Sequence, residues 1–477
     1  MDIAFIGVGY VGLVSGVMMS YLGHNVTCID TDVFKIEQLQ AGILPIYEPG
    51  LEEYFKEELY SGKLNFSTQY SAVKKAEVIF ITVGTPSLAS GAADISGVLD
   101  AIHNIQDNIN QDRPLLKLAP VEQVLGAFGA QDRNVLNVHE DPSTKVTTQL
   151  FTGVEFQNRS SVIVIKSTIP PGTCRNIDNA LRIKGKQYHI ASNPEFLREG
   201  CAVQDFLTPD RIVIGTNDDY AKQILTTLYQ PLLARDIPFI WTDLATAELI
   251  KYAANSFLAT KIAFINEMAN ICEKIDANIT ELSLGMGSDH RIGMEFLQAG
   301  PGFGGSCFPK DILALSQVAK NYDLDCLVLD ATIKANNLRS HDMVKKICNI
   351  MGTKLLGQVF AIFGLTFKAG TDDIRDSPAI KIIQLLQAEG AIIRVYDPQI
   401  FSPLAGIECI NSAIEACVGA DAIIITTEWP EFRELDFDII YQQLKTPIII
   451  DLRNILDVTH LQQKGFKYYA VGRHHGD

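Results

Sequence analysis

The sequence predicts an α/β protein with two Rossmann-like doubly wound domains joined by a long central helix. Three observations support this fold class: a strand that runs into a glycine-rich turn at the start of the chain, a second strand–helix–strand pattern from residue 359, and between them a run of about 33 residues without proline or glycine. We expect a first domain at 1–235, a central helical domain at 236–335 and a second doubly wound domain at 336–477. Residues 112–158 lack periodicity and are interpreted as an insertion into the first domain.

The composition is that of an ordinary globular protein. The 477 residues are 47% hydrophobic and 20% charged, which is enough apolar material for several cores. A net charge of −16 argues against nucleic-acid partners, because those require a basic surface. The nine cysteines are scattered without a Cys-x-x-Cys pair, as is typical of a reducing compartment. Because we find no signal peptide and no apolar run of about 18 residues, we expect a cytoplasmic protein that does not contact membranes.

The first strand and turn form a dinucleotide-binding fingerprint. Gly7, Gly9 and Gly12 follow the strand, an apolar helical stretch comes next, and a second strand ends at Asp30. Glycines at these positions allow a tight turn and let the backbone approach a pyrophosphate at a helix N-terminus. A turn used only for packing would not require the flanking strands and the acid about 20 residues further on. The Asp30 carboxylate would accept hydrogen bonds from ribose hydroxyls and repel a 2′-phosphate, so NAD is the predicted cofactor.

The loops after two later strands are further candidate cofactor contacts. A strand at Glu77–Val83 is followed by Gly-Thr-Pro, and a strand at Ser161–Lys166 is followed by Ser-Thr-Ile-Pro-Pro. Ligands of doubly wound proteins bind at the carboxyl ends of the parallel strands. We therefore expect Thr85, Ser167 and Thr168 to lie beside the cofactor.

The second doubly wound domain lacks this fingerprint. Strands at Val359–Phe363 and Ile392–Tyr396 flank a helix at Ser377–Ala388, but the first loop carries Lys368 and then Arg375 in place of the three spaced glycines. A loop with these cations suits phosphate groups better than a second NAD.

The central helix is predicted over residues 243–275, with Thr242 or Asp243 as its cap. Lys251 and Asn255 lie four residues apart and hence on one face. Most lysines lie at the surface, but the apolar neighbours of Lys251 on both sides favour a position in a cleft. The wide uncharged face of the helix favours packing against both domains or a second subunit.

The stretch GPGFGGSCFPKD at 300–311 is the strongest candidate for catalysis. Its four glycines allow the backbone to approach a ligand closely, and the proline after Phe308 places Cys307 at a helix N-terminus. This position, with Lys310 nearby, is expected to stabilise a thiolate. An inert core thiol is the alternative, but a core cysteine does not need the surrounding glycines.

A second polar loop at 192–200 supplies two carboxylates, Glu195 and Glu199. A nucleophilic thiol and a carboxylate that activates water are the groups required for covalent acyl chemistry. Together with NAD they predict a two-step oxidation, in which a thiolate captures an aldehyde, a hydride leaves, and water hydrolyses the resulting thioester to an acid.

Taken together, these motifs resemble the UDP-glucose/GDP-mannose dehydrogenase family. The matching stretches follow the family order along nearly the whole chain and lie at 7–12, 84–86, 166–172, 193–200, 249–255, 300–311 and 363–368. The resemblance implies a four-electron oxidation of UDP-glucose at C6 to UDP-glucuronate by two NAD. It also implies a homodimer or a higher homo-oligomer.

The same resemblance implies the roles of individual residues. Cys307 would form the thiohemiacetal and the thioester, and Glu195 would position or activate the water. Proton transfer and oxyanion stabilisation would fall to Lys251, Asn255, Asp311 and Thr168. The cofactor-binding positions would be Gly7, Val8, Gly9, Tyr10, Val11, Gly12, Asp30, Lys35, Thr85, Pro86, Ser167, Thr168, Glu199, Lys310 and Arg375. The substrate-binding positions would be Glu195, Phe196, Leu197, Arg198, Glu199, Lys251, Asn255, Arg291, Phe296, Gln298, Gly302, Phe303, Gly304, Phe367, Lys368 and Arg453, with Arg291 reaching the neighbouring subunit's substrate.

Two alternatives to this function stay open. A sister enzyme would perform the same chemistry on GDP-mannose or an N-acetylated UDP-sugar; within the resemblance, Ser306 before the cysteine favours UDP-glucose over acetylated sugars, for which histidine is usual. A non-catalytic NAD-binding scaffold on the same fold is the second alternative. The presence of the whole set of reactive residues argues against a scaffold.

Overall fold

The computed structural model describes residues 1–109, 161–182, 188–352, 354–402 and 406–473. Two separate sheets, built almost entirely from parallel strands, lie on either side of a long helix in the chain order, so the predicted fold class is confirmed. The predicted insertion at 112–158 lies outside the described residues.

The first sheet has eight strands. They are β1 (Asp2–Ile6), β2 (Asn25–Ile29), β3 (Leu64–Ser67), β4 (Val78–Ile81), β5 (Ser161–Ile165), β6 (Tyr188–Ser192), β7 (Ile212–Gly215) and β8 (Phe239–Thr242). Their order is β3-β2-β1-β4-β5-β6-β7-β8, and all neighbours are parallel except β6 and β7. The first six strands follow the order of a dinucleotide-binding fold. Because both faces are covered, the central strands are continuous apolar runs, and every residue of β4 is fully buried.

Within the described ranges, eight helices cover the two faces of this sheet. They are α1 (Tyr10–Tyr21), α2 (Val33–Gln40), α3 (Leu51–Tyr60), α4 (Ser96–Ile109), α5 (Thr173–Arg182), α6 (Ala202–Leu207), α7 (Asp219–Leu228) and α8 (Gln230–Leu233), with a 3₁₀ turn at Tyr70–Lys75. The two apolar cores that result lie on opposite faces of the sheet.

Four helices connect the two sheets: α9 (Leu244–Ile275), α10 (Ile279–Gly287), α11 (Phe308–Asn321) and α12 (Leu327–Met351). The predicted central helix is confirmed as α9, and its cap is Asp243, whose Oδ1 accepts a hydrogen bond from the Thr246 N–H at 3.1 Å. Helix α9 packs along α11 and α12. Within the described ranges, no helix is both long enough and apolar enough to cross a membrane.

The second sheet repeats the order of the first. Its strands are β9 (Val359–Phe363), β10 (Ile392–Tyr396), β11 (Glu408–Cys409), β12 (Ala422–Ile425), β13 (Ile448–Asp451) and β14 (Lys467–Ala470), arranged β11-β10-β9-β12-β13-β14. The helices on its two faces are α13 (Pro378–Ala388), α14 (Ala413–Cys417), α15 (Phe437–Gln443) and α16 (Val458–Gln463), with a 3₁₀ turn at Pro430–Arg433. The carboxyl ends of the strands in both sheets and the first half of α9 supply the polar residues described next.

Candidate active site

The glycine turn between β1 and α1 has three different local environments. Gly7 has φ +94°, and a Cβ there would lie 2.8 Å from Val83. A Cβ at Gly12 would lie 2.0 Å from the Gly7 carbonyl oxygen, whereas a Cβ at Gly9 would meet nothing within 4 Å. The turn therefore combines a tight bend, close helix–strand packing and an open approach for a pyrophosphate. These residues fit the dinucleotide that the fingerprint predicts.

Asp30 follows β2, at the position expected for a ribose contact. Its Oδ2 accepts hydrogen bonds from the Val8 N–H at 2.8 Å and the Lys35 ammonium at 3.0 Å, and its Oδ1 accepts one from the Asp32 N–H at 3.0 Å. Partial burial acts against ionisation, but these donors outweigh it and lower the pKa of Asp30. The group is an anion at neutral pH, with part of its charge offset by Lys35.

The hydroxyls of two predicted cofactor contacts are used within the fold. The Thr85 hydroxyl donates to the Thr168 carbonyl oxygen at 2.8 Å, and the Ser167 hydroxyl donates to the Val83 carbonyl oxygen at 2.7 Å. These bonds tie the loops after β4 and β5 to each other. Pro86 lies in the same loop as Thr85, and Tyr10 and Val11 begin α1, where the Tyr10 hydroxyl donates to Glu48.

A cavity of about 750 Å³ brings most of the predicted substrate positions together, a size typical of small-molecule sites. It is lined by Glu195, Phe196, Leu197, Arg198, Glu199, Lys251, Asn255, Phe296, Gly302, Phe303, Gly304, Phe367, Lys368 and Arg453, together with Cys307. Two predicted positions do not line it. Gln298 is exposed, and the exposed Arg291 side chain pairs with Asp289 at 2.5 Å.

A buried ion pair forms one wall of the cavity. The Lys251 ammonium donates to Glu195 Oε1 at 2.9 Å, and the Leu197 N–H donates to Glu195 Oε2 at 2.5 Å. Burial favours the neutral form of each group, but their mutual attraction outweighs it. The pKa of Lys251 is therefore raised, with Cys307 and Asp311 adding to the effect of Glu195, and the pKa of Glu195 is lowered. Lysine stays a cation and glutamate an anion in a nearly water-free position.

A second buried pair lies behind Asn255. The Asn255 amide donates to Asp311 Oδ2 at 2.6 Å, and the Lys310 ammonium donates to Asp311 Oδ1 at 2.6 Å. Asp311 is only 1% exposed and does not itself line the cavity. By accepting one hydrogen of the Asn255 amide, Asp311 fixes that side chain at the cavity wall, and the second hydrogen of the amide stays available as a donor.

Cys307 lies at the N-terminus of α11, as predicted, but the expectation of a stabilised thiolate is wrong. Burial of the sulfur raises the pKa of the Cys307 thiol; the Lys251 charge acts in the opposite direction but does not outweigh burial. Glu195 and Asp311 add to the increase, and the Lys310 ammonium is bonded to Asp311. The free protein therefore holds a protonated thiol.

This protonation state predicts slow alkylation of Cys307. We expect iodoacetamide to modify Cys307 more slowly at pH 7 than the exposed Cys201, with a rate that rises above pH 9.0, the ordinary thiol value, because only the thiolate reacts. Peptide mass spectrometry over a pH series measures both sites in one sample. Faster labelling of Cys307 than of Cys201 at pH 7 would show that the thiol is ionised in the free protein.

Glu199 connects the cysteine loop to the second sheet. Its carboxylate accepts hydrogen bonds from the Ser306 hydroxyl at 3.1 Å and the Thr371 hydroxyl at 3.0 Å, and the Arg375 guanidinium lies 3.8 Å away. Burial, reinforced by the Asp373 carboxylate, raises the pKa of Glu199. Arg375 makes its close ion pair with Asp373 at 2.8 Å.

One end of the cavity is formed by loops of the second sheet. The Arg453 guanidinium donates to the carbonyl oxygens of Thr426 and Phe367, both at 2.9 Å, and lies 3.1 Å from Glu428. These contacts hold Phe367 at the cavity wall, where Lys368 follows it. Two loops of the second sheet thus place one cation each at the cavity wall, Lys368 and Arg453, the latter held by two carbonyl oxygens and Glu428.

Lys166 is the clearest residue that sequence reasoning missed. It follows β5, is 7% exposed, and lines the same cavity wall as Glu195 and Lys251. Its ammonium donates to Asn193 Oδ1 at 3.2 Å, and no carboxylate within the described ranges forms an ion pair with it. Burial lowers the pKa of Lys166 to about 8. A charged residue directly after a fully apolar strand was the available signal.

Three family models cover most of the chain. The NAD binding domain of the UDP-glucose/GDP-mannose dehydrogenase family matches residues 1–120 and 134–233, the central domain matches 245–338, and the UDP binding domain matches 361–458. The match supports NAD as the cofactor of the first sheet.

Full-length relatives agree with these matches. The chain is 49% identical to a UDP-glucose 6-dehydrogenase of Rickettsia typhi over 479 residues, covering 99% of both chains, and 41% identical to one of Rhizobium meliloti over 483 residues, covering 99% of this chain and 100% of the relative. The structure of a UDP-glucose dehydrogenase from Pyrobaculum islandicum superposes with a TM-score of 0.81 at 30% identity, covering 99% of this chain and 98% of the other. This protein belongs to the UDP-glucose/GDP-mannose dehydrogenase family.

Proposed function

We propose that the protein catalyses the NAD-dependent oxidation of UDP-glucose at C6 to UDP-glucuronate, the activity of a UDP-glucose 6-dehydrogenase. The observation that carries the proposal is that the Cys307 thiol, the Lys251–Glu195 ion pair and two cations of the second sheet all line the same cavity. Relatives with this activity match the chain from end to end.

The first oxidation uses groups that can hold an alcohol and stabilise its oxygen. NAD, when bound, accepts one hydride from C6 in each of the two oxidations. Lys251 and Asn255 direct an ammonium and an amide at the same part of the cavity, where they stabilise negative charge on the C6 oxygen. The alcohol proton passes to a water molecule, because Lys251 is already protonated and Asp311 does not line the cavity.

The second oxidation requires the sulfur. The Cys307 thiol adds to the aldehyde: a C–S bond forms, the C–O double bond becomes single, and the thiol proton ends on the oxygen, which gives a thiohemiacetal. Loss of the second hydride from C6, together with loss of the hydroxyl proton to water, gives a thioester. Glu195 then accepts a proton from a water molecule that attacks the thioester carbon, the C–S bond breaks, and the thiol and the uronic acid are released.

Nucleotide-sugar choice is tested by offering UDP-glucose, GDP-mannose and UDP-N-acetylmannosamine separately and following NADH absorbance. Ser306 before the cysteine and the identity to relatives named for UDP-glucose support UDP-glucose. We expect two NADH per UDP-glucose and little turnover of the other two sugars. Preferential oxidation of GDP-mannose or the acetylated sugar would assign the protein to a sister activity, and no turnover of any sugar would favour a scaffold.

We also propose that the active form is a homodimer. Helix α9 exposes apolar side chains at Phe257, Phe264 and Ile271, which are seven residues apart and so lie close to one stripe. The Arg291 side chain is 78% exposed and does not line its own cavity, as expected if it contacts the substrate bound to the partner subunit.

A cytoplasmic location fits the nine cysteines, all of which are described and none of which forms a disulfide.

The role of Arg291 is tested by mixing two inactive variants. Arg291→Ala and Cys307→Ala homodimers should each show almost no activity, whereas mixed dimers should recover activity, because the intact cysteine of one chain then meets the intact arginine of the other. Activity of the mixture above the sum of the two parents is the expected result. No recovery, with exchange verified by mass spectrometry, would place Arg291 outside the partner's site.

A further inference from the structure

Residues 300–305 of the cysteine stretch, here called the glycine loop, are held from behind by side chains of α9 and α12. The Gly300 N–H donates to Asn266 Oδ1 at 2.8 Å, and the Gly300 carbonyl oxygen accepts from Arg339 Nε at 2.8 Å. Asn266 belongs to α9 and Arg339 to α12. Two neighbouring helices therefore fix both backbone polar groups of the first glycine.

Asn336 of α12 fixes the next part of the loop in the same way. The Phe303 N–H donates to Asn336 Oδ1 at 2.9 Å, and Asn336 Nδ2 donates to the Phe303 carbonyl oxygen at 3.0 Å. The oxygen and the nitrogen of the Asn336 amide thus both bond to the backbone of Phe303. Gly302 has φ +118°, and a Cβ there would lie 2.8 Å from Asn336 Oδ1, so glycine is required for the amide to fit.

Arg339 is unusual because it is a buried cation without a carboxylate partner. It is 2% exposed, and its Nη1 donates to Asn270 Oδ1 at 2.7 Å. No carboxylate in the described part of the chain lies within 4.0 Å of it, and its Nη2 has no hydrogen-bond partner there. Burial lowers the pKa of Arg339 to about 10, and Asp342 and Glu273 offset this effect only from beyond contact distance, so the buried charge is costly. The stem of the side chain packs behind Gly302, which lines the cavity expected to receive an anionic nucleotide sugar.

The opposite side of the glycine loop is packed against the second sheet. A Cβ at Gly304 would lie 2.3 Å from the Asp376 carbonyl oxygen, and a Cβ at Gly305 would lie 2.8 Å from the Phe367 ring. The loop is thus enclosed between α12 and the loops expected to hold the nucleotide. A shift at Gly300 or Phe303 would displace the cavity wall, since Gly302, Phe303 and Gly304 all line it.

We propose that Arg339 and Asn336 are positioning residues that hold the glycine loop in its substrate-binding conformation. They touch the loop backbone and act on the nucleotide sugar through it. This inference rests on the proposed function, since it assumes that the cavity binds a UDP-sugar. It predicts a selective loss of affinity for the UDP-sugar, because the cofactor turn lies outside the contacts that the two residues make.

Four variants test the proposal: Asn336→Ala, Arg339→Met, Arg339→Lys and, as a matched control, Asn337→Ala. Asn337 is the next residue of α12, of the same type, but exposed and outside the cavity. We expect Asn336→Ala and Arg339→Met to raise KM for UDP-glucose and the calorimetric Kd for UDP by about tenfold or more, equivalent to the loss of one or two buried hydrogen bonds. The KM for NAD should stay within about twofold, a difference below that of one such bond.

Arg339→Lys separates positioning from charge. Lysine keeps the cation but lacks the planar set of donors that reaches Gly300. We expect its KM for UDP-glucose to rise as in Arg339→Met; a wild-type KM would show that only the charge matters and would overturn the positioning role. Thermal unfolding of each variant identifies a loss of fold, and UDP binding measured below the unfolding temperature keeps the test valid for destabilised variants.

Two results would overturn the positioning role of Asn336 and Arg339, and a third would overturn only the proposed function. Equal increases in KM for UDP-glucose and NAD, or unchanged KM with a lower unfolding temperature, would reduce both residues to a general structural role. If the wild-type protein binds UDP but oxidises no UDP-glucose, the proposed function fails, while the effect of the variants on UDP binding still tests the positioning role.

Discussion

The Cys307→Ala variant is expected to lose steady-state formation of UDP-glucuronate by several orders of magnitude. Without the sulfur no C–S bond forms with the aldehyde, so the second hydride has no tetrahedral adduct to leave from, and no thioester arises for water to attack. Cys307→Ser should fail similarly, because a hydroxyl has a much higher pKa than a thiol and an ester is a poorer acyl donor. Acid formation is measured by separating the nucleotides after incubation with NAD.

Binding and a second cysteine provide the controls for this variant. UDP and NAD should bind to Cys307→Ala about as they do to the wild type, since the sulfur contacts only the hydroxyl of its neighbour Ser306, at 3.6 Å, among the hydrogen bonds of the described residues. Cys348, which is half-buried like Cys307 but lies outside the cavity, is the matched site, and Cys348→Ala should keep its activity. Production of uronate by Cys307→Ala near the wild-type rate would refute the thioester route.

Glu195→Gln is expected to slow the overall reaction by roughly 10²- to 10⁴-fold, the usual contribution of a general base. An amide cannot accept the proton of the attacking water, so the thioester forms but hydrolyses slowly. The first turnover should therefore release NADH in a burst, and the steady state should be limited by hydrolysis. Stopped-flow absorbance measures both phases. A uniform slowing without a burst would assign Glu195 to an earlier step.

Removing the buried charge of Glu195 also lowers the stability of the fold, and the same substitution at Glu248 is the control for this effect. Glu195→Gln leaves the Lys251 ammonium without its partner, which costs about 3–5 kcal/mol for a buried pair. Glu248 is 2% exposed and accepts the Cys174 N–H at 2.7 Å, but it does not line the cavity. We expect Glu248→Gln to lower the unfolding temperature without a burst. The two variants thus separate loss of stability from loss of the base.

The fold could be predicted from the sequence where an apolar run or a capping residue by itself marks the ends of a strand or helix. The strands Val359–Phe363 and Ile392–Tyr396 are bounded by the residues that the apolar runs predict, and α9 begins after its predicted cap, Asp243. Strands β7 and β8 were not predicted. Their short runs, Ile-Val-Ile-Gly and Phe-Ile-Trp-Thr, acquire their partners only when the sheet extends beyond β6, which is a non-local event.

The residues of the candidate site could be predicted from the sequence motifs, but the hydrogen bonds and ion pairs between them could not. Sequence identifies Lys251 and Asn255 as neighbours on one helix face, but not their separate partners, Glu195 and Asp311, each 56 residues away. Lys166 and Arg339 were missed because most lysines and arginines lie at the surface. Only the structure shows that these two are buried and that no carboxylate forms an ion pair with them among the described residues.

The wrong expectation for the Cys307 thiol has a definite physical cause. A helix N-terminus and a nearby lysine both favour a thiolate, and both features are present in the structure. Sequence does not reveal that the sulfur is removed from water, nor that the Lys310 charge is directed at Asp311 at 2.6 Å. Desolvation then outweighs the favourable terms, so the nucleophile must lose its proton during the reaction.

Covalent catalysis by Cys307 can be observed by intact-protein mass spectrometry of Glu195→Gln mixed with UDP-glucose and NAD. We expect a covalent enzyme–sugar nucleotide adduct that accumulates after the burst of NADH, maps to Cys307, and is absent from the Glu195→Gln, Cys307→Ala double variant. Steady formation of uronate with no adduct on Cys307, or an adduct that persists in the double variant, would contradict covalent catalysis by this cysteine.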